Sequence, residues 1–391
     1  MNRTFNNTAA AFSLKSDREL ERAYFLFKMI QNRSLVKIGT SLTHFALKLH
    51  LPVEGIIRAT VFDHFCGGTT EADCLPVVDK MYSKGVSSVL DYSVEGKEDE
   101  AHFDDAMNIT LKIIEFAKER KALPFAVFKP TGFGRFALYQ KIGEGKELTE
   151  AEKEEWNRVV ARFEVVCKTA HRNDIAVLID GEESWMQDAA DDLVMEMMRK
   201  YNKEKSVIFN TLQMYRHDRM EYLKKLHRQA EIEGFHIGMK LVRGAYMEKE
   251  HKRAQEMGYP TPICPSKEAT DKNYDTAVEY MMSHLDKMAI FAGTHNEESS
   301  YKLMELMAQK NIPTNDKRLW FGQLYGMSDN ISFNLAADGY NVAKYLPFGP
   351  VRDVMPYLIR RAEENTSVEG QTSRELMLIS TERNRRKAIR R

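Results

Sequence analysis

The chain has 391 residues, 43% hydrophobic and 29% charged, with 57 Lys plus Arg against 57 Asp plus Glu. These values exclude a mainly disordered chain, and zero net charge gives no global field to gather nucleic acid. Cys66, Cys74, Cys167 and Cys264 form no C-x-x-C pair and no disulfide framework. With no apolar run of about 18 residues and no signal or transit pattern at the start, the expectation is a cytoplasmic protein in a reducing compartment.

Residues 17–50 carry apolar side chains at helical spacing, so residues 1–85 are expected to form an N-terminal helical arm. From residue 86 the rhythm changes. Short apolar, β-branched runs at 86–92, 123–129, 175–180, 207–212, 236–242, 288–294, 318–324 and 341–347 alternate with charged segments of helical period. The helical segments are 104–120, 149–171, 184–201, 216–233, 271–285, 297–310 and 351–364. Such alternation predicts parallel strands joined by crossover helices, and eight is the number that closes a (β/α)8 barrel of the TIM type. An open doubly wound sheet would alternate in the same way. The barrel is placed at residues 86–367. Two long spacings, after Lys129 and after Val242, are expected to hold loops that fold over a ligand. Residues 368–391 form a basic tail ending in TERNRRKAIRR, with six basic residues and one acid over 381–391. That segment reads either as a solvated helix end or as a patch for anionic lipid.

In a barrel the chemistry belongs where strands end and βα loops begin. The runs lead, in order, to Asp91 and Glu95, to Lys129, to Asp180-Gly181-Glu182, to Gln213, to KLVRGAY from Lys240 to Tyr246, to Thr294-His295-Asn296, to Gln323 and Leu324, and to Tyr345. Gathering so many polar groups at one rim points to a site. A Lys129–Asp180 pair across the rim is compatible with a functional role for both. His295 reads either as a satisfied buried histidine or, with Thr294 and Asn296 beside it, as a ligand contact. Gly244 and Ala245 would admit a flat ligand close to backbone, or mark a tight turn. Arg360 and Arg361 point about 100° apart on a helix and could grip a carboxylate, though charge pattern favours a solvated face with Glu364 as partner.

Several motifs fail. Gly132 to Ala137 matches G-x-G-x-x-A after a strand, an alternative pointing to a nicotinamide-dependent oxidoreductase, but no strand-ending acid follows at about 20 residues. No Walker A, H-E-x-x-H, nucleophile elbow or zinc spacing occurs, and no metal is expected.

The run from KLVRGAY (240–246) through THN (294–296), QLYGM (323–327) and YLPFGP (345–350) to YLIRRAEEN (357–365) resembles the proline dehydrogenase family, over roughly residues 85–367. The resemblance implies a distorted (β/α)8 barrel binding FAD, and the single-function form, since the chain is too short for a fused aldehyde dehydrogenase module. It implies oxidation of L-proline to 1-pyrroline-5-carboxylate by hydride transfer from C5 to flavin N5, the first step of proline catabolism, with a membrane quinone as acceptor. Enzyme at the inner face of the membrane, held through the basic tail, would fit that acceptor. A related hydroxyproline dehydrogenase is the alternative.

Carried over by position, Asp180, Lys240 and Lys129 match the catalytic set. Lys129, Arg360 and Arg361 match groups that face the substrate carboxylate, which reverses the solvated-face reading. Tyr246, Leu324 and Tyr345 match residues that wall the ring. Asp180, Gly181, Gln213, Lys240, Val242, Arg243, Gly244 and Ala245 match FAD contacts, as do Thr294, His295, Asn296 and Gln323. Glu364 matches an acid of the cofactor set that orients the arginine helix, and Glu95 a gating acid. One departure stands out: many bacterial members carry Arg where this chain has Lys240, which donates from a point charge rather than a fork.

Overall fold

The computed structural model describes residues 4–31, 55, 58–93, 98–367 and 371–390, without the side chains of 59–60, 362–367 and 371–372. In chain order the main elements are α1 (Asp17–Ile30), α2 (Leu75–Tyr82), β1 (Val86–Tyr92), α3 (Glu100–Ala117), β2 (Phe125–Phe128), α4 (Phe136–Gly143) and α5 (Glu150–Asn173). There follow β3 (Ala176–Ile179), α6 (Ser184–Tyr201), β4 (Ile208–Gln213), α7 (Arg219–Glu233), β5 (Ile237–Val242), α8 (Met247–Met257) and α9 (Lys267–Ser283). The chain continues through β6 (Met288–Gly293), α10 (Glu297–Gln309), β7 (Leu319–Leu324), α11 (Asp329–Ala337), β8 (Val342–Phe348), α12 (Met355–Ser367) and α13 (Gln371–Ile389).

The eight strands follow one another around a closed parallel barrel. The doubly wound alternative is excluded, because an open sheet would leave its terminal strands unpaired. Here β1 pairs with β8 along its length, from Val86 opposite Val342 to Tyr92 opposite Phe348. Strands covered on both faces are mostly apolar, and β2, β4 and β8 are buried at every position.

Two compact units make up the chain, residues 1–95 with 323–391, and residues 96–322. In the second unit an aromatic layer fills the interior near the strand starts. Phe125 of β2 packs edge-on against Phe209 of β4, Phe291 of β6 and Trp320 of β7, with ring centroids 5.1–5.9 Å apart. Such layers make a barrel interior a packed core rather than a pore. Helix starts follow local chemistry: Thr149 and Glu152 form a capping box on α5, and Ser266 caps α9.

In the first unit, α1 starts with a capping box of Ser16 and Glu19. Its inner face (Leu20, Ala23, Phe27) packs with Phe12, Leu378 and Ile379, the last two from α13. Residues 371–389 are therefore a docked helix, not a tail. Arg383 makes a bidentate bridge to Glu21 at 2.6–2.7 Å, and Arg386 reaches Asp17 at 2.9 Å and Glu382 at 2.7 Å. Arg385 also holds Glu382, and Arg390 pairs with Asp17. Within the expected arm, residues 1–85, helix is found at Thr8–Ala11, α1, Arg58–Phe65 and α2; the part of the expectation on residues 32–54 lies outside the described residues.

The two long spacings are not bare loops: they contain α4 and α8. Helix α8 escapes pattern reading because MEKEHKRAQEM is mostly charged. Its ends are marked instead by Glu248 and Glu250 in the first turn and by Gly258 in the left-handed region at φ 72°.

A Cβ on Gly322 of β7 would lie 2.1 Å from the Phe291 ring. Gly322→Ala is expected to lower stability by about 1–3 kcal/mol through overpacking of that layer. Thermal unfolding checks this, and an unchanged Tm would contradict it.

Candidate active site

In unit 96–322, the strand ends carry the polar groups. Lys129 follows β2 and is held extended before Pro130, which opens a short 3-10 turn, Pro130–Gly132. Asp180 follows β3, and its N–H donates to the Phe128 carbonyl at 3.0 Å. The Asp180 carboxylate accepts from Lys240 Nζ, with both side chains largely buried. The partner shown for Asp180 is thus Lys240, two strands away on β5, where sequence reading expected Lys129. Removing either member would leave a buried charge uncompensated, a loss on the order of 3–5 kcal/mol.

Beside this pair the backbone comes close to side chains. A Cβ on Gly181 would lie 3.1 Å from the Gln213 amide carbon, and Gln213 is buried at the end of β4, in register with Val242. Gly244 sits at φ +134°, and a Cβ there would meet the Tyr215 ring at 2.5 Å. Only glycine fits that position. Gly244 and Ala245 are exposed, so their backbone is open to a ligand.

Arg243 is held from several sides. It donates to Asp271 at 2.6 Å, Thr294 Oγ1 at 2.8 Å and Ser299 Oγ at 3.0 Å, and its guanidinium lies 4.6 Å from the Tyr274 ring. Ser299 donates onward to Asp275 at 2.7 Å. Three of the fork's five N–H groups are thereby directed. Asn296 caps α10, its Oδ1 accepting from Ser299 N at 3.1 Å, and His295 is half-buried rather than sealed in the core. Tyr246 precedes α8 and lies 5.3 Å below the Lys249 ammonium.

Two acids of this unit carry more weight than sequence reading gave them. Glu250 of α8 is fully buried and accepts from Ser184 N and Oγ, both at 2.6 Å, tying α8 to the start of α6. Glu182 accepts from Thr131 N at 2.9 Å and Thr131 Oγ1 at 2.6 Å. Burial pushes its carboxyl up to about 7, against those bonds and the Lys129 charge. The spacing of Glu182 two residues past Asp180 was a usable signal; nothing in a helix as charged as α8 singles out Glu250.

The G-x-G-x-x-A stretch does other work. A Cβ on Gly134 would meet Val159 at 2.4 Å, so that glycine serves packing. The start of α4, where a pyrophosphate would sit in a dinucleotide fold, already receives a carboxylate: Phe136 N donates to Glu98 at 3.1 Å.

In unit 1–95 with 323–391, Asp91 ends β1, buried, and accepts from Ser93 Oγ at 2.7 Å. Gln323 is buried, and its Oε1 accepts from Ser332 Oγ at 2.8 Å, which turns its NH2 group the other way. Tyr345 is buried on β8 and its carbonyl accepts from Tyr325 N at 2.8 Å. Leu324 packs against the cluster that includes Met327, Tyr357 and Leu358. On α12, Arg361 is buried with its guanidinium 5.2 Å from the Tyr357 ring, and Arg360 is half-buried. The pair therefore does not lie on a solvated face. Glu95 and the Glu364 side chain lie outside the described residues.

A family model described as proline dehydrogenase matches residues 74–374. The chain is 36% identical over 372 residues to the carbapenem antibiotics biosynthesis protein CarD of Pectobacterium carotovorum subsp. carotovorum, covering 95% of this chain and 96% of that protein. It is 40% identical over 242 residues to mitochondrial proline dehydrogenase 1 of Homo sapiens, covering 61% of this chain and 40% of that one. Among solved structures, proline utilization A from Bdellovibrio bacteriovorus matches with a TM-score of 0.72 at 21% identity. That match covers 92% of this chain but only 38% of the longer protein, and it bears on the fold alone.

Glu182 binds its proton more tightly folded than unfolded. Its contribution to stability is thus full below the ordinary value of 4.5 and is lost as pH rises through about 7. Glu182→Gln keeps an acceptor for Thr131 N and removes the titration. The fall in Tm between pH 5 and 8 is expected to be shallower in the variant; parallel curves would contradict the assignment.

Proposed function

The chain belongs to the proline dehydrogenase family, and from that premise we propose an FAD-dependent enzyme that oxidises L-proline to 1-pyrroline-5-carboxylate and passes the electrons to a quinone. The observation that carries the reading is the buried pair that Lys240 of β5 makes with Asp180, with the open backbone of Gly244 and Ala245 following just past the end of that strand. Such a surface fits a flat cofactor: glycine at φ +134° where a Cβ would strike Tyr215, a second close backbone approach at Gly181, and an arginine fork fixed before any ligand arrives. FAD, when bound, supplies the hydride acceptor.

The chain's own residues bind and orient. Lys129, Arg360 and Arg361 would fix the substrate carboxylate with charge-assisted bonds, the arginines through planar forks. Tyr246, Leu324 and Tyr345 would wall the ring and keep water from it. Lys240 would offer one N–H at a time where many family members present a fork, and Asp180 holds that ammonium in place. The bulk of Tyr345 crowds a hydroxyl on the ring, so proline is the substrate rather than hydroxyproline. The reaction is the first step of proline catabolism in this reading. Likeness to the carbapenem antibiotics biosynthesis protein CarD over nearly its whole length favours antibiotic biosynthesis as a second setting for this enzyme.

The purified protein is expected to be yellow, and proline is expected to bleach it anaerobically much faster than trans-4-hydroxyproline does. A colourless protein, or flavin that proline leaves oxidised, would reject the reading. Arg360→Ala is expected to raise the proline KM about ten- to hundredfold, as for one lost charged hydrogen bond, with flavin still bound. Steady-state kinetics check it; an unchanged KM would remove Arg360 from the carboxylate site.

A further inference from the structure

The turn after β7 is held by buried charges that the proposed chemistry does not use. Lys344 of β8 is fully buried. Its ammonium donates to the Met327 carbonyl at 2.6 Å and the Leu324 carbonyl at 3.3 Å, and pairs with Asp329 at 2.8 Å. The other oxygen of Asp329 meets Lys15 at 3.0 Å. Ser328 sits in the left-handed region at φ 50°, uncommon for a residue other than glycine. Its N–H donates to the carboxylate of Glu375, a buried residue of α13. On the same turn, Gly326 stands at φ +81°, and its carbonyl accepts from His64 Nε2 at 3.1 Å. Burial pushes that imidazole down to about 3, so it stays neutral and can donate through one nitrogen.

These contacts converge on the backbone from Leu324 to Asp329. Lys344 also immediately precedes Tyr345, and the Tyr345 carbonyl accepts from Tyr325 N. Both ring-walling residues of this unit are thus fastened to one four-charge cluster: Lys15, Asp329, Lys344 and Glu375. An αL serine is costly unless its surroundings over-determine it. A carboxylate of α13, that of Glu375, accepts its N–H. Glu375 lies one residue beyond the segment matched by the family model.

We propose that Glu375 is a positioning residue for proline: through the Ser328 N–H and the Lys344–Asp329 pair it holds the 324–329 turn so that Leu324 and Tyr345 present a fixed wall to the pyrrolidine ring. The inference rests on the proline reading. Glu375 touches neither substrate nor cofactor; it acts through the turn. Burial and then the Asp329 charge push its carboxyl up to about 7, opposed by the Ser328 N–H, Lys344 and Lys15. The clamp therefore sits where protonation would weaken its acceptor.

The test is a set of three full-length variants, compared with wild-type protein that oxidises proline. Failure of the wild type to oxidise proline would defeat the functional reading itself, before any variant is compared. Glu375→Ala is expected to raise the proline KM about tenfold, with kcat changed less than threefold and flavin content unchanged. It should also narrow the preference for proline over the six-membered ring of pipecolate, which general destabilisation would not do. Glu375→Gln keeps a carbonyl acceptor and is expected to restore the proline KM to within about twofold. Glu375→Asp keeps the charge but loses reach, and an intermediate KM is expected; it decides the matter if the alanine variant does not fold. An unchanged KM and ring preference in a folded Ala or Asp variant would overturn the proposal, as would a glutamine variant no better than alanine.

Discussion

A lysine placed in a strand covered on both faces has to bring its counter-charge with it, and this barrel contains two such lysines. Lys240 of β5 is matched by Asp180 at the end of β3, and Lys344 of β8 by Asp329 at the start of α11. An uncompensated ammonium at either depth would cost several kcal/mol, so each lysine dictates where a carboxylate, and the loop carrying it, must stand. Each pair fixes the exit of a different strand. In one, the loop that begins at Asp180 is drawn to β5, the strand that leads to Gly244; in the other, a turn bearing Leu324 is drawn onto β8. The polar chemistry at the strand ends follows from these two obligations more than from any single motif.

Preparation before binding recurs around Arg243. Its fork is already aimed by Asp271, Thr294 and Ser299, and Tyr274 lies under it, so a ligand that bound there would cost it little rotamer freedom. Gly244 then carries the chain past Tyr215 in a conformation closed to other residues. The contrast with Gly134 is instructive. Both glycines follow strands, but Gly134 makes room for Val159, and the helix beyond it is capped by Glu98. Equal spacing on paper hides opposite electrostatics, because a carboxylate at that helix start repels the phosphate a dinucleotide motif would recruit.

The strands were legible because double-sided burial writes itself as short apolar runs; the first of these coincides with β1 and the helical stretch 184–201 with α6. The strand-end residues could be named for the same reason. What a single sequence could not reveal was pairing. Asp180 stands near several cations in any barrel, and choosing Lys240 over Lys129 depends on which side chain the β5 register turns inward. Helix α11 was missed because Asp329, Asn330, Ser332 and Asn334 are polar yet buried, satisfied by partners outside the helix such as Lys344, Gln323 and Asn7. The placement of α13 depended likewise on acids in α1, more than 350 residues earlier.

That last placement alters how the basic end of the chain interacts with its surroundings. An anionic surface attracts a nearby Lys or Arg by about 1 kcal/mol each. Glu382, though, is fully buried and held by Arg385, Arg386 and Thr8, and taking the guanidiniums from it would strand a carboxylate at a cost several times larger. Arg383 is bound by a bidentate bridge to Glu21 and lies 3.8 Å from the Tyr24 ring. A lipid surface approaching this helix would meet Asp17 and Glu21 along with the arginines they hold. Arg383, Arg386 and Arg390, which look like part of an electrostatic anchor in the sequence, act first as fasteners, joining α13 to α1.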